Sequence, residues 1–313
     1  MATALVMEST GTLRESHGRG MNVMSEEYIF PADLPEIDRL NLQHNLWKRA
    51  MKGNCSVPAD ELDAVFAKQK EPAILDLGRG TGIWCKEMAE AYPEARVVGV
   101  DLVDSVPAGM PSNCTRGDIT QGLSSFRNQF DLVHVRLVIV HIKGDAAKEA
   151  AIGQAIACLR PGGIIVISTY DESYASSSRQ FLSPARDDED NSNRSWCTRY
   201  LAEAFGRSGE CVVGDFTQKC LVNNVAIDKK SIRSDSFYIP VGWDGGDGTY
   251  GGVTGEMSLR QTYALFETCK PSLISKGVPQ KTIDEWERKA EEEIKDPRKR
   301  LFHVVRSIWG RKL

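Results

Sequence analysis

The chain has 313 residues, a formal net charge of −4, 41% hydrophobic residues and 26% charged residues. This composition is that of an ordinary globular protein, and the length suits one large domain or a domain with an insertion. The slightly acidic balance gives no electrostatic footprint for nucleic acid or for an anionic membrane, so we expect neither as a partner.

The cysteines and the apolar runs bear on metal chemistry and on compartment. The eight cysteines are scattered without a C-x-x-C pair and the five histidines add no zinc spacing, so we expect no metal site and a reduced intracellular compartment. No apolar stretch reaches the roughly 20 residues that span a bilayer. Residues 1–7 lack the basic start of a signal peptide, and we therefore expect a cytoplasmic protein.

The first segment of the chain predicts little order. Residues 1–25 are rich in Ser, Thr, Gly and Met without periodicity, which is typical of a flexible tail, and the domain is expected over 26–313. We expect N-terminal lid helices over 26–55, because apolar and aromatic residues recur there at helical spacing. The residues that share this predicted helical face are Ile37, Leu40, His44 and Trp47.

From residue 73 the pattern changes to alternating strands and helices. Short apolar runs bounded by turn residues predict buried strands, and the periodic segments between them predict helices. The predicted strands are 73–77, 96–101, 130–135 and 164–168, and the predicted helices are 84–92 and 146–159. This alternation predicts an α/β fold with a parallel sheet and helices on both faces.

The second half of the chain predicts a loop, further helices and an insertion. Residues 173–195 are polar and acidic, which is typical of a mobile, solvated loop. The elements expected after it are a helix at 196–207, strands at 220–226 and 301–309, and a mostly helical insertion at about 226–298 whose clearest helix is 282–294.

A glycine-rich loop follows the first predicted strand of the sheet. It contains Asp76, Gly78, Gly80 and Gly82, and it opens a helix whose N-terminal amides can meet an anionic group. Dinucleotide sites generally have the longer form G-x-G-x-x-G, whereas G-x-G-x-G after an acid is usual in methyltransferases that use S-adenosylmethionine. The spacing favours S-adenosylmethionine as the cofactor, with Asp76 holding water or the ammonium of its methionine part.

Two further acids follow predicted strands. Asp101 ends the second strand, where a carboxylate can accept hydrogen bonds from both ribose hydroxyls, and Leu102 would lie beside the adenine. Asp118 could accept a hydrogen bond from the adenine amino group while Ile119 packs on the ring. The alternatives are a dinucleotide oxidoreductase, and a doubly wound domain whose glycines serve packing alone.

Several segments, taken together, carry a family resemblance. They are the pattern Tyr28-x-x-Pro31-x-Asp33-x-x-Glu36-x-x-Arg39-Leu40-x-x-x-His44, the glycine loop 75–84, residues 98–102, Pro111-x-Asn113-Cys114, residues 130–136 and residues 159–163. The chain resembles the fungal LaeA-like methyltransferases over residues 28 to about 170. At Arg79 it departs from the family, which usually has cysteine there.

The resemblance implies a class I, Rossmann-like methyltransferase fold, with a seven-stranded, mostly parallel sheet whose last strand is antiparallel. In that fold the end of the fourth strand borders the cofactor, which implies contacts from His134 and Arg136. Tyr28 could close over the methionine end, although an aromatic residue at a helix start is often a packing staple. The family includes a nuclear regulator of secondary metabolism and many enzymes that methylate small natural products.

Candidate general bases are few, and a base is needed only if the methyl acceptor is protonated. His141 follows the fourth strand, near the edge where sites form in open α/β sheets, and His44 lies on the predicted lid helix. Either histidine could instead be structural. We therefore predict an S-adenosylmethionine-dependent enzyme that methylates an oxygen or nitrogen of a small secondary metabolite. The alternative is a LaeA-like nuclear regulator with protein partners.

Overall fold

The computed structural model of the protein describes residues 13–25, 28–103, 114–187, 189–206 and 213–313. The strands are β1 (Arg14–Ser16), β2 (Arg19–Met21), β3 (Ala73–Leu77), β4 (Arg96–Asp101), β5 (Cys114–Arg116), β6 (Phe130–Arg136), β7 (Leu159–Ala175), β8 (Ser183–Pro184), β9 (Arg194–Ser195), β10 (Ile227–Pro240) and β11 (Phe302–Lys312). The helices are α1 (Leu34–Met51), α2 (Ala59–Phe66), α3 (Ile83–Ala91), α4 (Asp145–Cys158), α5 (Trp196–Phe205), α6 (Val213–Asn223), α7 (Gly251–Ser275) and α8 (Gln280–Lys295).

Seven strands form the central sheet, in the order β10-β11-β7-β6-β3-β4-β5. The pairs among β3, β4, β5, β6 and β7 are parallel, whereas β11 runs antiparallel to β7 and β10 runs antiparallel to β11. The predicted α/β class is confirmed, as is the seven-stranded sheet with an antiparallel last strand.

Different helices cover the two faces of the sheet. Successive side chains of a strand point to opposite faces, so Leu75 packs in the core shared with α4 and α6, and Ile74 packs with α2 and α3. Both residues are fully buried. A separate core lies among α5, α7 and α8, where Tyr200, Phe266 and Trp286 meet. The insertion therefore has an apolar interior of its own.

The described part of the predicted flexible tail is ordered, which corrects that prediction. β1 and β2 form a hairpin around His17 and Gly18, whose φ angles of 51° and 77° suit a two-residue turn. Arg19 holds this hairpin to the start of α1 through paired hydrogen bonds of 2.7 and 2.8 Å to the carboxylate of Asp33. Residues 1–12 of the predicted tail, and the motif positions Pro111 and Asn113, lie outside the described residues.

Three predicted segments differ from the structure. Residues 220–223 belong to α6 rather than to a strand, because Val213, Thr217, Cys220 and Leu221 are buried at helical spacing. Residues 173–175, predicted to begin a mobile loop, continue β7; Tyr174 and Ala175 pair with β11, and Tyr174 is fully buried. The insertion, predicted to be mostly helical, begins with the long strand β10 and becomes helical only from α7.

The loop between β3 and α3 makes a tight turn in which Gly78, Gly80 and Gly82 have φ angles of 80°, 56° and 77°. The amides of Gly78 and Arg79 donate to the carbonyl oxygen of Val100 in β4, at 2.8 and 3.1 Å. A Cβ atom at Gly78 would lie 2.1 Å from Cγ2 of Val138. Glycine is therefore required at this position by both conformation and space.

We expect Gly78→Ala to lower the free energy of unfolding by about 2–5 kcal/mol, because a left-handed alanine costs about 1–2 and overpacking about 1–3 kcal/mol. The matched control is Gly277→Ala, since Gly277 also has a φ of 80° but a Cβ there would meet nothing within 4 Å. Urea unfolding of both variants measures the difference. Equal losses in the two variants would contradict the contact with Val138.

His303 on β11 lies in an aromatic stack inside the core. Its ring is 3.8 Å from that of Tyr170 and 4.8 Å from that of Tyr174, centroid to centroid. Within the described chain its Nε2 has no hydrogen-bond partner. Burial lowers the pKa of His303 from 6.5 to about 3, so the folded protein holds the imidazole neutral.

Because the folded-state pKa of His303 is depressed, its contribution to stability is complete above pH 6.5 and is lost as the pH falls towards 3. We expect His303→Phe, which preserves the stack, to make the unfolding free energy less dependent on pH across this window. Urea midpoints of the variant and the unsubstituted protein at several pH values measure it. An unchanged pH slope would show that His303 is not held neutral.

Candidate functional site

A cavity of about 510 Å³ lies at the carboxyl ends of the parallel strands. In the sheet register Leu77 of β3 is opposite both Val100 of β4 and Val135 of β6. The next residues along these strands, Gly78, Asp101 and Arg136, consequently reach the same edge, and all three line the cavity. This is where open α/β sheets bind ligands.

One end of the cavity is formed by the segments that follow β4 and β5. Asp101, Leu102, Asp118 and Ile119, which the sequence predicted as cofactor contacts, all line it. Asp101 accepts hydrogen bonds from the amides of Gly80 and Val103, at 2.8 and 3.0 Å. Burial raises the pKa of Asp101, and these hydrogen bonds act against that rise. The two carboxylates can accept hydrogen bonds from hydroxyl and amino groups of a bound nucleoside.

Arg79, the departure from the family pattern, braces the glycine loop. Its guanidinium donates to the carbonyl oxygens of Val103 and Gly80, at 2.7 and 2.9 Å. The aliphatic part of the Arg79 side chain packs against Gly99, where an added Cβ would be 2.9 Å from Cδ of Arg79. Arg79 is only 3% exposed, and it therefore ties the loop to the segment that follows β4.

Three predicted cofactor contacts, Asp76, Gly82 and His134, do not line the cavity. Oδ1 of Asp76 is 2.7 Å from Nδ1 of His134, Oδ2 accepts from the thiol of Cys85, and His134 stacks on Trp84 at 3.9 Å. Burial would raise the pKa of Asp76, but His134 and Arg136 outweigh it and the pKa is lowered. Asp76 and His134 therefore lie inside the sheet, before the residues that reach its edge, and Gly82 is the N-cap of α3.

His44, predicted as a general base, also does not line the cavity. It is 1% exposed, with Nδ1 3.2 Å from Nη1 of Arg136 and Nε2 3.2 Å from Oε2 of Glu87. Burial, together with the charge of Arg136, lowers the pKa of His44 to about 4. Both ring nitrogens face protein groups, so this geometry does not support His44 as the base.

His141 and Tyr28 do line the cavity, where they form an aromatic wall with Phe30. The His141 ring is 4.7 Å from that of Tyr28 and 4.8 Å from that of Phe30. Burial raises the pKa of Tyr28, so its phenol stays protonated at neutral pH. His141 is therefore the predicted base that the structure places at the cavity.

Two polar residues of α1, Arg39 and Gln43, also line the cavity, although the sequence did not single them out as site residues. Arg39 forms a buried two-point ion pair with Glu36 at 2.6 and 2.9 Å, and Thr268 of α7 donates to the same carboxylate at 2.7 Å. The helical spacing of residues 36, 39 and 43 was the available signal. This spacing does not by itself indicate a site, because polar residues along one helix face usually point into solvent.

Aromatic and apolar residues at the start of the insertion anchor it to the sheet. Trp243 packs on Phe302 at 4.9 Å and donates from Nε1 to the carbonyl oxygen of Leu301 at 2.8 Å. Ile239 packs beside Val305 in the core. None of residues 237–240 lines the cavity.

The described residues contain neither a metal-binding cluster nor a membrane-spanning helix. Across those ranges there is no group of three or more His, Cys, Asp or Glu side chains that could hold a metal ion. No described helix combines the length and the apolar character needed to cross a membrane.

Known proteins resemble this chain in sequence, and one solved methyltransferase structure aligns with it. It is 37% identical over 174 residues to the secondary metabolism regulator laeA of Coprinopsis cinerea, covering 53% of this chain and 42% of that protein. It is 35% identical over 154 residues to the methyltransferase pytC of Aspergillus terreus, covering 47% and 43%. The plantazolicin methyltransferase BpumL in complex with SAH aligns at a TM-score of 0.44 and 12% identity, over 89% of each chain.

The matched regions thus span less than half the length of these two curated relatives. The predicted resemblance to the fungal LaeA-like methyltransferases is confirmed. Residues 47–209, more than half of the chain, match the family described as methyltransferase domain. The chain therefore belongs to the methyltransferase domain family.

Proposed function

We propose that this protein transfers a methyl group from S-adenosylmethionine to an oxygen or nitrogen of a small molecule. The observation that carries the proposal is the arrangement of Gly78, Asp101 and Asp118 around one cavity at the sheet edge. The donor groups of the cofactor, two ribose hydroxyls and an adenine amino group, match carboxylate acceptors at Asp101 and Asp118. Leu102 and Ile119 supply apolar surface for the ring.

When bound, the cofactor supplies an electrophilic methyl group on a sulfonium, and the chain's own residues orient the reactants. Holding an acceptor in line with that methyl group can lower the barrier by about 7–11 kcal/mol. His141 lines the cavity and would take the proton from a phenol or ammonium acceptor. Tyr28 and Phe30 border the same space and would exclude water from it.

We expect Asp101→Ala to weaken S-adenosylmethionine binding about ten- to a hundredfold, because each hydrogen bond to a charged group is worth about 1.5–3 kcal/mol. Calorimetric titration measures this loss. The control, Asp38→Ala, removes an exposed carboxylate of α1 and should leave the affinity unchanged. Unchanged affinity in Asp101→Ala would refute the ribose contact, and tight binding of NAD(H) would favour the dinucleotide alternative.

We expect His141→Asn to lower turnover of a phenol or ammonium acceptor about 10²- to 10⁴-fold, the usual contribution of a general base, while S-adenosylmethionine affinity is preserved. To identify an acceptor, the protein and cofactor are incubated with small phenols, carboxylic acids and amines, and the methylated product is detected by mass spectrometry. Undiminished turnover by the variant would show that His141 is not the base.

A regulatory function is the second candidate, because the relative from Coprinopsis cinerea is named a secondary metabolism regulator. Under that function the acceptor is a protein or the chain acts within a protein complex. Affinity purification of the full chain from its native cells separates the two functions. A stable complex with transcriptional regulators, without turnover of any small acceptor, would favour the regulator.

A further inference from the structure

Two cysteines that are distant in the chain meet on the face of the sheet that α3 covers. Cys114 begins β5 and is paired across the sheet with Gly99 of β4. Residues paired in neighbouring strands point to the same face of the sheet. A Cβ added at Gly99 would lie 3.1 Å from Sγ of Cys85, which belongs to α3. The side chains of Cys85 and Cys114 therefore meet over Gly99, which leaves the space for them.

Arg79 brings a cation to the same place. The Cβ added at Gly99 would also lie 2.9 Å from Cδ of Arg79. The hydrogen bond between the two thiols, together with the charge of Arg79, lowers the pKa of Cys114 to about 7. The same hydrogen bond, together with burial, raises the pKa of Cys85. At neutral pH a substantial share of Cys114 is therefore thiolate, the form of cysteine that reacts with oxidants.

The two thiols differ in their access to solvent. Cys114 is half-buried on β5, which is an edge strand of the sheet, whereas Cys85 is fully buried. An oxidant from solvent consequently meets Cys114 first, and Cys85 lies behind it. An accessible thiol of low pKa with a second thiol beside it is the arrangement of a redox-active cysteine pair.

We propose that Cys114 and Cys85 form a redox modification site, which hydrogen peroxide converts into an intramolecular disulfide. The thiolate of Cys114 attacks one oxygen of the peroxide and the O–O bond breaks, which leaves a sulfenic acid and a hydroxide that takes up the Cys114 proton to form water. The sulfur of Cys85 then attacks the sulfur of Cys114, the S–O bond breaks, and the thiol proton of Cys85 leaves with the hydroxide as a second water.

Formation of the disulfide changes the support of the glycine loop. Sγ of Cys85 donates to Oδ2 of Asp76 at 3.3 Å, and Asp76 is 1% exposed. A disulfide sulfur has no proton to donate, so this buried carboxylate loses a donor, which destabilises its present position. Asp76 lies two residues before Gly78, the first glycine of the loop. We therefore expect the disulfide to weaken S-adenosylhomocysteine binding about fivefold or more, as is usual for coupled sites, an expectation that rests on the proposed function.

Peptide mapping without reductant tests the disulfide. The full chain is treated with hydrogen peroxide and its remaining thiols are blocked, and we expect two peptides joined through Cys85 and Cys114 that dithiothreitol separates. Cys114→Ser should abolish this product, whereas Cys85→Ser should leave Cys114 as a sulfenic acid that dimedone traps. The matched control is Cys220→Ser, which changes a buried cysteine of α6 and should leave the product unchanged.

Calorimetric titration with S-adenosylhomocysteine then compares the reduced chain with the oxidised chain. Peroxide-treated Cys114→Ser is the control, and it should keep the affinity that it has when reduced. A loss of affinity that appears only with the disulfide, and that dithiothreitol reverses, supports the coupling to the glycine loop.

The outcomes separate this inference from the proposed function. Absence of the disulfide between Cys85 and Cys114 in the peroxide-treated chain overturns the redox site. Equal affinities of the reduced and the oxidised chain overturn the coupling to the glycine loop, although the cofactor assignment then stands. Failure of the reduced chain to bind S-adenosylhomocysteine overturns the proposed function, whereas the peptide map still decides the redox site.

Discussion

The register of the parallel strands is the constraint on which the site depends. Leu77 is opposite both Val100 and Val135. The residues that follow them at the ends of β3, β4 and β6 therefore lie side by side at one edge of the sheet. Asp101 is likewise opposite Arg116, which places Asp118 just beyond the same edge. A shift by one residue would turn each of these side chains to the other face of the sheet. Burial of β3 on both faces holds the register.

Helix α1 covers this edge of the sheet and forms part of the cavity wall. Polar contacts hold the helix there. The amide of Asn41 faces the loop hydroxyl of Thr81 at 2.8 Å, His44 contacts Arg136, and Glu36 binds both Arg39 and Thr268. Such directional contacts fix the helix in one orientation more strictly than apolar packing does, because an unsatisfied buried polar group is costly. The glycine loop, the wall of the cavity and the insertion are therefore coupled through one helix.

Local signals in the sequence were sufficient for the parallel strands β3, β4, β6 and β7 and for several residues that line the cavity where these strands end. Glycine spacing and strand-ending acids report local chain geometry, so Gly78, Asp101 and Asp118 could be identified from the residues alone. Long-range contacts could not be identified in this way. His44 was expected to act on the acceptor, but its ring is engaged by Glu87 and Arg136, residues 43 and 92 positions further along the chain. The hairpin at Arg14–Met21 was missed because the pairing of Arg19 with Asp33 has no local pattern.

The contact of α1 with the insertion links ligand occupancy to conformational order outside the cavity lining. Glu36 shares its carboxylate between Arg39, which lines the cavity, and Thr268, in the middle of α7. A ligand that binds only when α1 is docked must raise the free energy of undocking, and the gain grows with the logarithm of ligand concentration. The backbone amides of α1 and α7 would then exchange with solvent deuterium more slowly in the bound protein, although α7 itself contributes nothing to the lining.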